Sequence, residues 1–162
     1  MLTTHRTFLG ASGVRRDGGF SLIEVLVALV VLSVGLLGLA ALQSTATQFN
    51  ASAYVRSQAT LLAYDMADRI RANRQAGLTG AYNSPYPGVL PTCNAAVAGT
   101  VVQQDLAAWR SALACALPNG NGEVDFAGDA TNGGVLTIRV RWDESRDPGN
   151  ANVEQFEMTT GL

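Results

Sequence analysis

Hydrophobic and polar residues follow three different periods along this 162-residue chain, and each period predicts a different element. From Phe20 to Leu42 there is almost no alternation: Ser21, Glu24 and Ser33 are the only polar residues among 23. As a helix rising about 1.5 Å per residue the stretch spans roughly 34 Å. That is enough to cross a bilayer's hydrocarbon core of about 30 Å. From Gln43 to Ala76 neither Pro nor Gly occurs, and apolar residues recur at helical spacing: Phe49, Val55, Ala59, Leu62, Met66 and Ile70. This pattern predicts that the helix continues unbroken, with one apolar stripe that needs a cover. Asp65 and Arg69 form an i, i+4 pair of the favoured polarity, Arg69, Arg71 and Arg74 gather where cations suit the helix dipole, and Gly77 is a natural stop.

Residues 77–104 read as an irregular connection, interrupted by Gly77, Gly80, Pro85, Pro87, Gly88 and Pro91. Asp105 is placed to cap a short amphipathic helix in which Leu106, Trp109, Leu113 and Leu117 share a face, ended by Pro118 and the Asn-Gly-Asn-Gly run. The period then changes to two. Val124 and Phe126, then Leu136, Ile138, Val140 and Trp142, then Phe156 and Met158 alternate with polar neighbours, which predicts about three strands with one apolar face each. Short strands joined by Gly- and Asn-rich turns pair antiparallel, and their apolar face is the natural cover for the helix stripe. The fold class is α+β: a long N-terminal helix, half membrane-spanning and half amphipathic, packed on a small antiparallel β-sheet. The segments are 1–19 ahead of the span, 20–42 in it, 43–76 for the amphipathic half and 77–162 for the globular part.

Charge orients the chain and removes partners. The net charge is −2, all eleven basic residues are Arg, and no basic cluster occurs beyond the N-terminus, so nucleic acid is not an expected partner. Arg6, Arg15 and Arg16 precede the span against Asp17, and only Arg56 follows closely, which places the N-terminus in the cytoplasm and the C-terminal part outside. Cys93 and Cys115 then lie in an extracytoplasmic compartment where disulfides persist. One bridge is the simplest reading; closing a ring of about 23 residues is worth about 3 kcal/mol in the chain-entropy model. Two buried thiols or a ligand pair are the alternatives, and no His or second Cys pair stands near them.

The candidate chemistry is mostly eliminated. His5, the only histidine, precedes the span, so no Ser/His/Asp or Cys/His site can form in the outer domain. A zinc site lacks ligands. The acidic loop 143–150 offers oxygens, but its spacing matches no EF-hand and a solvated turn is the commoner use. The expectation is no enzyme activity, no metal and no cofactor. Two plain readings of the N-terminus compete. A secretory signal peptide cut near Ser44-Thr45-Ala46 would need a much shorter apolar run, of about 7–15 residues. A simple membrane anchor bearing a binding domain accounts neither for Gly18-Gly19 nor for Glu24, a carboxylate that costs roughly 2.5–3.5 kcal/mol at the centre of a membrane helix.

The stretch "GGFSLIEVLVALVVLSVGLLGLAAL" after a short basic leader resembles the N-terminal signature of type IV pilins and of the related type II secretion pseudopilins, with Gly19, Phe20 and Glu24 at the matching positions. The segments "YVRSQATLLAYDMADRIRANRQAG", "DLAAWRSALACALPNGNGEV" and "VRWDE" resemble a minor pilin of the PilV kind. The resemblance implies the type IV pilin fold, and a leader, 1–19, removed by a prepilin peptidase that cuts between Gly19 and Phe20 and methylates the new amine of Phe20. It implies that Glu24 pairs with the N-terminal amine of a neighbouring subunit. The expected partners are other minor and major pilins, the peptidase/methyltransferase and the bacterial inner membrane, followed by a pilus at the cell surface, where such a subunit primes assembly or joins a tip complex. A minor pseudopilin of a type II secretion system is the alternative. Many major pilins carry a Pro about 22 residues into the mature helix; here Gly35 and Gly38 are the soft points instead.

Overall fold

The computed structural model describes residues 18–145 and 152–162. The leader before Gly18, with His5, Arg6, Arg15, Arg16 and Asp17, and most of the acidic loop, including Asp147, lie outside the described residues. Six elements follow in order: α1 (Leu22–Ala72), α2 (Arg74–Leu78), α3 (Val101–Ala116), β1 (Asn121–Asp129), β2 (Gly133–Asp143) and β3 (Val153–Gly161). The strands form one antiparallel sheet in the order β1-β2-β3. The chain divides into two compact units, Met1–Ser44 and Thr45–Leu162.

In the first unit, the apolar start of α1 is long enough to cross a membrane, and residues 22–44 are all exposed among the described residues. The Ser33 hydroxyl donates to the Leu29 carbonyl at 2.7 Å, which satisfies that polar group within the helix.

The second unit holds the core. Ala59, Ala63, Met66, Ala67 and Ile70 of α1 are buried in one cluster with Leu136, Ile138, Val140 and Trp142 of β2 and with Val124 and Phe126 of β1. Three of the five helix residues are Ala, so the helix backbone can approach the sheet closely while the larger strand residues fill the layer. The long helix packed on a three-stranded antiparallel sheet is the α+β arrangement anticipated from the periods. Phe49 departs from its stripe: it is 72% exposed, because the covered face of α1 begins further along, at Val55 and Ala59.

Helix α3 adds a second layer. Trp109 and Leu113 are fully buried, and the Trp109 indole donates to the Leu62 carbonyl of α1 at 2.9 Å. Gly122 of β1 makes room for it: a Cβ there would stand 2.3 Å from Trp109 Cη2 and 2.7 Å from Leu113 Cδ1.

Three boundaries differ from expectation. The amphipathic helix ends at Ala72 rather than running to residue 76; Asn73 breaks it at φ −112° and ψ 51°, and α2 follows. Gly77 is not the stop but a packed residue of α2, where a Cβ would meet Leu162 Cδ2 at 2.7 Å and Ile70 Cγ2 at 2.8 Å. Helix α3 starts earlier than Asp105, capped by Thr100 in a capping box with Gln103. Asp105 therefore sits inside the helix and is free for a different use.

Candidate functional site

At the N-terminal end of α1 the Ser21 carbonyl accepts from the Glu24 amide at 3.0 Å and the Val25 amide at 3.3 Å, which starts the first turn immediately after Phe20. Glu24 is thus the acidic residue of that turn. The helix dipole favours a carboxylate there by about 0.3–1 kcal/mol, less than the roughly 2.5–3.5 kcal/mol of placing the charge in a membrane helix. The local helix does not explain the residue. Phe20, Glu24, Val25, Ala28, Leu29 and Leu32 line one open groove of about 310 Å³ along the helix. Phe20 and Glu24 therefore share a face, and among the described residues the Glu24 side chain has no hydrogen-bond or ion partner. A Cβ built on Gly18 or Gly19 meets nothing within 4 Å, so the fold itself does not call for glycine at either position.

The other sequence-selected residues lie in the second unit. Cys93 and Cys115 form a disulfide with their Cα atoms 4.7 Å apart, which ties the loop before α3 to the end of that helix. The Ala95 amide donates to Ser111 Oγ at 3.2 Å and fixes the same loop. No group of three or more potential metal-ligating side chains gathers among the described residues. Asp143, at the start of the acidic loop, accepts from the Ser145 amide at 2.8 Å and the Asn152 amide at 3.2 Å, so one of its oxygens closes the base of the loop. Hydrogen bonds from Ser145, followed by those from the Asn152 amide and the Asn119 side chain, hold its carboxyl below the usual aspartate range.

Two polar networks escaped sequence reasoning. In the first, Arg69 binds Asp65 at 2.9 Å, the pair legible from i, i+4 spacing, and also Asp105 at 3.3 Å. Asp105 in turn accepts from the Tyr82 hydroxyl at 2.6 Å, and that hydroxyl accepts from Asn73 Nδ2 at 3.1 Å. Burial, with the bond to Asp105 second, pushes the Tyr82 phenol above its ordinary value. The network joins α1, the break at Asn73, the loop and α3. In the second, Arg139 stands directly opposite Glu123 and Glu157 in the sheet register and pairs with both. The alternation of residues contained this ladder, but only the strand register reveals it. Both networks are satisfied within the chain and hold structure, whereas the Glu24 side chain has no such partner among the described residues.

A helical face offering a carboxylate next to an aromatic residue, at the end of an uncovered apolar helix, can bind a cation supplied by another molecule, and it contains no nucleophile paired with a base. The length and composition of the helix suit a membrane anchor. Two family models agree: residues 14–40 match the prokaryotic N-terminal methylation motif, and residues 41–107 match type IV pilin Tt1218. Together with the fold, the two matches support a type IV pilin, a structural rather than enzymatic class, in which the N-terminal apolar helix suggests membrane anchoring followed by entry into a pilus. No curated protein and no solved structure gives a significant match.

Proposed function

We propose that this chain is a minor pilin of the PilV kind. It is anchored in the bacterial inner membrane with its N-terminus in the cytoplasm and Thr45–Leu162 in the periplasm, and residues 1–19 are removed by the prepilin peptidase between Gly19 and Phe20. The new amine of Phe20 is methylated, and the subunit then joins the tip or the priming complex of a type IV pilus. The observation that carries the reading is Glu24: charged, in the first turn of an exposed apolar helix, on one face with Phe20, and without a hydrogen-bond or ion partner among the described residues. When subunits stack with an axial offset, this carboxylate meets the N-terminal amine of its neighbour, and two isolated charges become one pair. A buried pair of this kind roughly breaks even in free energy, so it selects register and partner while the apolar helix supplies the adhesion. The open space at Gly18 and Gly19 fits a requirement imposed by an enzyme rather than by packing.

Intact mass and N-terminal sequencing of the protein extracted from its own membrane test the processing. The expected chain begins at Phe20 and carries one added methyl group, and Gly19→Val leaves the leader attached. A chain that starts at Thr47 identifies a cleaved secretory protein instead, and an uncut chain identifies a plain anchor. Co-isolated pilus subunits support the minor-pilin assignment, whereas secretion-system subunits would replace it with a pseudopilin.

A further inference from the structure

The rest of the domain treats the two outer edges of the sheet differently. Along β1 a cover exists: Ser84 and Val124 exchange backbone hydrogen bonds at 2.8 and 3.0 Å, and the Asn83 side chain accepts from the Phe126 amide at 2.7 Å and donates to its carbonyl at 3.2 Å. Along β3 no backbone group among the described residues plays that part, and Val153–Gly161 pairs with β2 on one side only. An uncovered edge is a template for another extended chain, and proteins that do not use one shorten it, bulge it, or place Pro or an unpaired charge on it. β3 does none of these. It has nine residues in continuous register with β2 and no Pro, and its charge on the helix side, Glu154, is neutralised by Arg56 at 3.0 Å.

The apolar layer is open at the same place. Phe156 and Met158 stand in register with Val140 and Ile138, which are fully buried, yet they are only half-buried themselves. One more strand on this edge would both pair the free backbone groups and close the layer.

We infer that the free edge of β3 is a strand-addition site for an extended segment of a second, different protein chain. The segment has alternating residues, apolar on the helix side beside Phe156 and Met158, and polar or cationic on the other side beside Gln155 and Glu157. A second copy of this chain does not fit. β3 runs in the same direction as α1, since Arg56 meets Glu154 and Arg71 meets Thr160 at 2.8 Å. Antiparallel pairing of two β3 edges would point the residue-45 ends of the two helices opposite ways, whereas chains held by the same N-terminal segment in one membrane point them the same way. A two-fold axis along the strands keeps the helices co-oriented but sets the side-chain alternation of the two edges out of phase. The middle of the β1 edge of a second copy is already taken, at Val124 and Phe126. The exclusion of self-pairing rests on the membrane-anchored reading; the open edge does not.

The test places the photo-cross-linking residue p-benzoylphenylalanine at Gln155, at Thr159 and, as a control on the same sheet face but on the far strand, at Asp125, in the full-length chain in its native membrane. Formation of the Cys93–Cys115 bond, read from mobility with and without reductant, certifies the fold of each variant, and Glu157 replaces any position that fails. The expected result is adducts at 155 and 159 to one partner chain, at partner residues about four apart in its sequence as a paired strand requires, and none at 125. No adduct at either edge position, adducts to a second copy, or adducts scattered over a partner's helices would each overturn the inference. Intact mass of the unmodified chain from the same membranes reports processing separately, so failure of the strand site and failure of the pilin reading give different results.

Discussion

Two stretches of α1 each carry apolar residues together with charge, and they meet opposite fates. Between Val55 and Ile70 the apolar stripe is buried by residues of its own chain, and the charges beside it find partners there: Arg56 with Glu154, Arg69 with Asp65 and Asp105, Arg71 with Asp68. Between Leu22 and Leu42 every residue is exposed, and Glu24 has no partner among the described residues. In the first region the residue choices are explained by the fold. In the second the fold leaves them unexplained, and that is where the proposed function places the assembly contact. The contrast predicts that substitutions in Thr45–Leu162 change stability, while substitutions near Glu24 change partnership and leave stability untouched.

The largest effect is expected at the centre of the self-contained region. Trp109→Ala removes a fully buried indole and its bond to Leu62, and a large-to-small change of this kind costs about 3–5 kcal/mol. Urea unfolding of the full chain in detergent, followed by the signal of Trp142, should show the midpoint falling accordingly. Replacing Cys93 and Cys115 together by Ser comes next, at about 3 kcal/mol if chain entropy is the main contribution. Equal unfolding midpoints with and without the bridge would show that the loop is held by packing and by the Ala95 to Ser111 bond alone.

Asp105→Asn should cost about 1–3 kcal/mol, because it weakens acceptance from the buried Tyr82 hydroxyl and removes one partner of Arg69. The residue also marks the limit of what the sequence could say. Periodicity identified the long helix, the short one, all three strands and most of the buried faces, because burial imposes period 3.6 or 2 on the residues themselves. It misplaced Asp105 as a cap, because an acidic residue ahead of an apolar run looks the same whether it caps a helix or lies inside one. The signal that decides is Thr100 with Gln103 three residues on, a capping box just upstream. The break at Asn73 and the exposure of Phe49 depend on where the sheet ends beneath the helix, which is tertiary information. At the candidate site the residues Gly19, Phe20 and Glu24 were legible from a motif, whereas the cover on one sheet edge and its lack on the other appear only once the strands are paired.

A smaller effect separates the regions by pH. Because Ser145 and Asn152 hold the Asp143 carboxyl below its usual range, the unfolded chain takes up that proton more readily than the folded one. Its contribution is complete above the ordinary aspartate range and is lost as pH falls through the depressed folded value. Asp143→Ala should therefore flatten the acid limb of the stability profile slightly and leave the neutral plateau nearly unchanged. A profile that keeps its full acid slope would assign that slope to other carboxylates, such as Asp129, which is lowered by its bonds to Asn132 and Thr131.

The smallest effect on stability, and the largest on function, belongs to Glu24. Glu24 is exposed and its side chain has no hydrogen-bond or ion partner among the described residues, so Glu24→Ala should leave the unfolding midpoint of Thr45–Leu162 within about 0.5 kcal/mol of the parent, as for a surface change away from structural features. Membrane insertion should persist or improve, since a charge is removed from an apolar helix. Cleavage after Gly19 should continue as well. On the proposed pairing, incorporation with partner subunits should fail, because the neighbour's amine would then be buried without a counter-charge, and breaking such a pair from one side costs about 3–5 kcal/mol. Glu24→Gln keeps the size and the hydrogen-bonding oxygen but not the charge, so it distinguishes ion pairing from simple fit: loss of incorporation in both variants assigns the role to charge, and rescue by Gln assigns it to shape. Recovery of either variant in sheared surface filaments at the parental level would move the assembly determinant away from Glu24 and onto the apolar helix alone.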